Sequence, residues 1–166
     1  MTAILALQKM HLSDKHLVRI AEHYGHRFTV FHSPDPSAPN ARGVAFVVNT
    51  SLIRVTNAHV RTLVPGRAIL LSIPWQNDRT LHLLNVYAPN DPTENQHFWS
   101  QLLEHWTTNH SPLPKADIML GDFNLVKDEL DCLPPYADHI RAVVELNALK
   151  TCLGLYNGWH TTYPDK

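Results

Sequence analysis

The sequence predicts a layered α/β domain. Three observations carry that expectation. Short aliphatic and β-branched runs follow one another with Gly, Pro, Asn or Asp between them, as half-buried strands do. Longer segments with apolar residues three and four apart interrupt them, as amphipathic helices do. Finally, 166 residues with 44% apolar side chains bury a sizeable core without disulfides or a structural metal.

In chain order, strands are expected at Ala3 to Gln8, Arg27 to His32, Val44 to Asn49, Ile53 to Val60, Ala68 to Trp75 and Thr80 to Ala88, with Gln76-Asn77-Asp78 as a hairpin turn joining the last two. A first helix is expected from Asp14 to Tyr24, capped by Ser13 and stopped at Gly25, with Leu17, Ile20, Ala21 and Tyr24 on one face. A second begins at Asp91-Pro92-Thr93-Glu94, a capping acid followed by proline at the first helical position, and carries Phe98, Leu102 and Trp106 until Pro112 and Pro114 end it. Ala116 to Leu120 reads as a short buried strand, and Ala137 to Leu149 as a third helix with Val143, Val144, Leu146 and Leu149 apolar. Only Ser33 to Asn40 is rich enough in Pro and Ser to be a long exposed loop, and no repeat or low-complexity tract divides the chain, so one domain over 1–166 is expected.

No apolar run reaches the roughly 18 residues of a membrane span, and no basic leader precedes the opening residues, so an intracellular protein, nuclear or cytoplasmic, with no membrane partner is expected. Cys132 and Cys152 have neither CxxC nor zinc-site spacing and read as plain thiols. The net charge of -1 conceals an asymmetry: residues 1–80 hold nine Lys and Arg against four Asp and Glu, residues 81–166 five against eleven. Such a chain either joins a carboxylate site to a polyanion-binding surface or has two ordinary solvated faces. Arg42, Arg54, Arg61 and Arg67 are the candidate phosphate contacts.

Two strand ends concentrate chemistry. Ile118-Met119-Leu120 runs into Gly121-Asp122-Phe123-Asn124, which aims a carboxylate and an amide off a sheet edge, although the tetrapeptide alone is also a turn sequence. Leu83-Leu84-Asn85-Val86-Tyr87-Ala88-Pro89-Asn90 likewise ends an apolar strand in polar groups, and Tyr87 and Asn90 suit a phosphodiester there. Gly-rich phosphate loops, Gly-x-Ser-x-Gly and HExxH are absent, which sets aside nucleotide triphosphatase, serine hydrolase and zinc protease readings.

The order Asn-Val-Tyr-Ala-Pro-Asn, a Phe98-Trp99 helix, then Ile-Met-Leu-Gly-Asp-Phe-Asn resembles the endonuclease/exonuclease/phosphatase superfamily, with the fold of deoxyribonuclease I, and within it the nuclease domain of non-LTR retrotransposons. Arg42-Gly43-Val44 looks like the family's Arg-Gly-Val strand, and Gly154 to Trp159 with Thr162-Tyr163-Pro164 like its late Trp segment. The resemblance implies a four-layer α/β/β/α sandwich and a Mg²⁺-dependent phosphodiester hydrolase acting on DNA. It implies Asp122 as the residue that orients or deprotonates the attacking water, Asn124 as the phosphate holder, Tyr87 as the active-site tyrosine, and Asn90 with Arg42 as substrate contacts. A phosphatase acting on a small phosphoester is the alternative enzyme reading.

Three departures qualify that expectation. The family's Gln-Glu-Thr, whose Glu is the principal Mg²⁺ ligand, is here Gln8-Lys9-Met10. An ammonium has no lone pair for a hard cation, and at about 4 Å and an effective dielectric of about 20 it repels a divalent ion by about 8 kcal/mol. No counterpart of the family's first strand precedes Thr2, and none of the twelve histidines stands in the family's terminal Ser-Asp-His; Asp138-His139 is the only Asp-His pair. The expectation is therefore an incomplete domain, cut at both ends, with weakened metal binding and impaired catalysis, or a non-catalytic fragment or binding module in which Lys9 holds phosphate directly. Its oligomeric state is not legible from these residues.

Overall fold

A computed structural model describes residues 2–37, 42–108, 113–125, 140–156 and 158. Among these it shows a mixed α/β arrangement of seven strands in two sheets and three α-helices. Contacts divide the chain into two compact units: Met1–Ala88 with Ala116–Phe123, and Pro89–Lys115 with Asn124–Lys166. Cys132, Asp138, His139, Asn157, Trp159 and the Thr162-Tyr163-Pro164 motif lie outside the described residues.

The first unit holds every described strand. β1 (Ile4–Gln8), β2 (Phe28–Pro34) and β3 (Gly43–Asn49) form an antiparallel sheet in the order β1-β3-β2. β4 (His59–Val64), β5 (Ala68–Pro74), β6 (Thr80–Tyr87) and β7 (Ile118–Asp122) form a second sheet in that order, antiparallel except for the parallel pair β6-β7. Alternate residues of each sheet meet in one core: Val44, Phe46 and Val48 from β3 against Ile69, Leu71 and Ile73 from β5 and Leu83 from β6, with Ile4 and Ala6 of β1 packed alongside. The period of two that marks a strand in sequence is here the period of core contact.

Most elements lie within two residues of expectation. Gln76-Asn77-Asp78 is a hairpin connection in which Asn77 and Asp78 take φ of 57° and 56°, and the Trp75 amide donates to the Arg79 carbonyl at 2.7 Å. Consecutive left-handed residues match the twist of the flanking strands. β2 extends to Pro34, a residue that an edge strand accommodates because one side of its backbone has no ladder to complete.

The expected strand Ile53 to Val60 is displaced to His59–Val64. The preceding residues turn instead, with the Ala58 amide on the Val55 carbonyl and Asn57 at φ 68°, so Ile53 is buried in the core without belonging to a strand. A register shift between Thr62 and Val64 then buries Leu63 and Val64 in succession and hides the strand's alternation. β7 was expected to be buried, but it is the edge of its sheet and Ile118 is 47% exposed.

α1 (Asp14–Tyr24) belongs to the first unit. Ser13 is the N-cap as expected, and the first turn supports it, the Ser13 amide donating to His16 Nδ1 at 3.2 Å. Of the expected apolar face, Leu17 and Ile20 are half-buried, whereas Ala21 and Tyr24 are exposed.

The second unit holds α2 (Pro92–Thr107) and α3 (Ile140–Leu153), which pack on each other. Asp91 caps α2 by accepting from the Thr93 and Glu94 amides, both at 2.9 Å. The buried face is Asn95, Phe98, Trp99 and Leu102, one stripe at helical spacing. α3 continues to Leu153, four residues beyond expectation, and buries Ala142, Leu146, Leu149 and Leu153, leaving Val144 outward.

Candidate functional site

One end of the first unit gathers most of the expected site. The chain leaves β1 at Gln8, enters β3 at Gly43, leaves β4 at Val64, enters β5 at Ala68, and leaves β6 at Tyr87 and β7 at Asp122, all at this end. Lys9, Arg42, Arg67, Tyr87 and Asp122 therefore stand on neighbouring strand tips.

Tyr87 and Asp122 are directly opposite each other in the parallel pairing of β6 and β7. Strand residues paired in this way project to the same face of the sheet, so the phenol and the carboxylate share one tip. The Ala88 amide closes the pair by donating to the Asp122 carbonyl at 2.8 Å. Gly121 makes the pairing possible. Its φ is 134°, and a Cβ there would collide with the Val86 carbonyl oxygen, so the strand runs through the Gly-Asp step instead of ending before it.

Arg67 grips Tyr87 from the β4-β5 turn. Its Nη1 donates to the Tyr87 carbonyl at 3.0 Å, its guanidinium carbon lies 5.5 Å from the phenol ring centroid, and its own carbonyl accepts the Tyr87 amide at 2.7 Å. The turn is fixed in its place. Gly66, at φ 68°, sits so close to Asp35 that a Cβ would lie 2.5 Å from the Asp35 Cβ, and its amide donates to the Ser33 hydroxyl at 3.2 Å. Asp35 in turn pairs with Arg42 at 3.2 Å. Hydrogen bonds from the Ser37 hydroxyl hold the buried Asp35 carboxyl below its ordinary value, helped by the Ser37 amide and Arg42, against the opposing effect of burial.

The fourth tip is the end of β1, where the Gln8 side-chain amide donates to Asn85 Oδ1 at 2.7 Å. Asn85 is fully buried on β6 and donates from Nδ2 to the Leu7 carbonyl at 3.1 Å and the Ala45 carbonyl at 2.9 Å, so one carboxamide joins both sheets. In the sequence Asn85 stands out only as part of a motif. The signal was an amide inside Leu83-Leu84-Asn85-Val86, where burial requires partners. Lys9 follows, exposed and at φ 54°, and the Met10 amide returns the chain to the Gly43 carbonyl at 3.0 Å.

Asn90 and Asn124 belong to the second unit. Asn90 is exposed, and Asn124 takes φ 44°. The buried Asn95 side chain organises both neighbourhoods, donating to the Pro89 carbonyl at 2.8 Å and the Asn124 carbonyl at 3.2 Å while accepting the Trp99 indole N–H at 2.6 Å. Of the other basic candidates, Arg54 lies on the β3-β4 connection at the far end of the strands, and Arg61 projects from the middle of β4.

Among the described residues the donor set at this end does not suit a divalent metal. Among the described residues no three His, Cys, Asp or Glu side chains converge as a metal site, and the tips that neighbour Asp122 carry one ammonium, Lys9, and two guanidinium groups, Arg42 and Arg67. Mg²⁺ requires hard oxygen ligands and is repelled by fixed cations. Among the described residues no helix is long and apolar enough to cross a membrane.

No family model matches the chain, and no curated protein matches its sequence. Its structure, however, is similar to the crystal structure of AP endonuclease LMAP from Leishmania major, with a TM-score of 0.69 over 98% of this chain at 15% identity. The fold is deoxyribonuclease I-like. The chain spans 60% of that neighbour's length. TDP2 from C. elegans is a more distant similarity, with a TM-score of 0.49 at 17% identity over 75% of this chain and 38% of that one.

Proposed function

We propose that this deoxyribonuclease I-like chain engages DNA phosphodiesters at the Tyr87 end of its strands, and that hydrolysis there is impaired. The observation that carries this reading is the register of Tyr87 against Asp122 on parallel strand tips, with Lys9, Arg42 and Arg67 on adjoining tips. Cations at a strand end track phosphates, and a tyrosine hydroxyl donates to a phosphate oxygen. The exposed Asp122 carboxylate is suited to accept a proton from an attacking water. Asn124 and Asn90 keep the phosphate-holding and substrate-contacting roles that the motif resemblance implies.

Impairment follows from charge. Stabilising the leaving alkoxide and the phosphoryl oxygens needs positive charge aimed at both, and a single ammonium at Lys9 in place of a carboxylate-bound Mg²⁺ supplies less of it. Kinship with the retrotransposon nuclease rests on the run from Asn85 to Asn124, in which the Tyr-Ala-Pro-Asn and Gly-Asp-Phe-Asn motifs keep their order.

The test combines two assays on the whole chain. Fluorescence anisotropy with a labelled DNA duplex is expected to show binding that weakens steeply with salt, whereas plasmid nicking in Mg²⁺ is expected to equal that of Asp122→Ala. Absence of binding at low salt overturns the DNA reading. Nicking by the wild type that Asp122→Ala abolishes overturns the impairment.

A further inference from the structure

We propose that Lys9 is the cation of a phosphodiester seat that works without a divalent metal, a proposal that rests on the DNA reading above. The backbone supplies the first argument. Lys9 holds φ 54°, in the left-handed region where a side chain other than glycine is strained. Such strain persists only where flanking structure imposes it, and functional sites are where it collects. Here both neighbours are anchored: Gln8 is tied through its side chain to the buried Asn85, and Met10 through its amide to Gly43. Gly43 itself is required, since a Cβ would lie 2.5 Å from the Met10 carbonyl oxygen. Lys9 is thus presented at a fixed position between two pinned residues.

Charge supplies the second argument. Arg42 is matched by Asp35, and Lys9 forms no ion pair with any described residue. Arg67 is laid on the Tyr87 ring, so its charge stays at the phenol. The Lys9 ammonium, outside any ion pair among the described residues, suits the negative charge of a phosphodiester. A divalent ion would meet the same ammonium as repulsion. An ammonium on an anchored backbone does part of what a metal does for binding, holding a phosphate oxygen by a charge-assisted hydrogen bond. It leaves the demands of hydrolysis unmet.

The experiment measures binding of a fluorescein-labelled DNA duplex in EDTA and in Mg²⁺, over a salt series, for wild type, Lys9→Gly, Lys9→Arg and Lys9→Glu. Lys9→Gly relieves the backbone strain while deleting the ammonium, so it is expected to melt higher than wild type yet bind about tenfold more weakly, with the salt slope reduced by about one. Lys9→Arg is expected to restore the affinity. Wild type is expected to bind equally in EDTA and Mg²⁺, and Lys9→Glu to bind only in Mg²⁺. Wild-type binding lost in EDTA, or Lys9→Gly with unchanged affinity and slope, overturns the seat while leaving the DNA reading standing. No wild-type binding under either condition overturns both.

Discussion

The side chains of Gln8 and Asn85, 77 residues apart in sequence, meet at 2.7 Å and tie the two sheets together at the tip where Tyr87 and Asp122 sit. Asn85 satisfies three partners at once from a fully buried position. Replacing it by Leu removes the hydrogen bonds to the Leu7 and Ala45 carbonyls, which keep their partners in the β1-β3 ladder, and leaves the Gln8 amide without its acceptor. A lost hydrogen bond costs about 1 kcal/mol and an orphaned polar group about 1–3 kcal/mol, so Asn85→Leu is expected to lose about 3 kcal/mol in urea unfolding, and Gln8→Ala distinctly less. Equal, small losses for the two variants would contradict the bridging role.

Two glycines with similar backbone angles separate conformational strain from close approach. Gly66 has φ 68° and Asp35 against it, whereas Gly154 has φ 76° and nothing within 4 Å of an added Cβ. Gly154→Ala is expected to cost about 1 kcal/mol, the left-handed penalty alone. Gly66→Ala adds a steric clash with Asp35 and is expected to cost about 3 kcal/mol, with loss of the Arg67 placement on Tyr87. Thermal melts of the pair read the difference directly.

In the second unit, Asn95 makes an equivalent connection. Asn95→Leu removes the acceptor for the Trp99 indole and the donor to Pro89 and Asn124. A loss of about 2–4 kcal/mol is expected, with a change in Trp fluorescence as the indole N–H loses its partner. A stability unchanged from wild type would contradict the geometry.

Asp35 gives a pH dependence of known sign. Its folded carboxyl titrates below the ordinary value of 3.8, chiefly because the Ser37 hydroxyl donates to the charged form. The stabilisation is therefore complete above the unfolded value and is lost as pH falls through the folded one. Denaturant midpoints taken from about pH 5 to about pH 3 are expected to fall more steeply for wild type than for Asp35→Asn. Parallel slopes would contradict the assignment.

The succession of elements along the chain, the caps and the Tyr87 and Asp122 strand ends are legible because each depends on local pattern: alternation, a capping Asp91 before Pro92, a strand ending in polar groups. The rest depends on long-range register. Nothing near Asn85 reveals that Gln8 will meet it, and nothing near Arg67 reveals that its turn will place it on Tyr87. Arg54 reads like Arg67 in composition, but topology sends it to the opposite end. The misplaced fourth strand has a local cause, since the left-handed Asn57 and the register shift near Leu63 both break the alternation on which the expectation relied.

The most direct test of the account is where DNA touches the chain. In a titration of the isotopically labelled protein with a short DNA duplex, the largest amide shift changes are expected at Gln8, Lys9, Gly43, Arg67, Tyr87 and Asp122. Changes concentrated instead at Asn49 to Ile53 and Trp75 to Arg79, at the far end of the same strands, would contradict it.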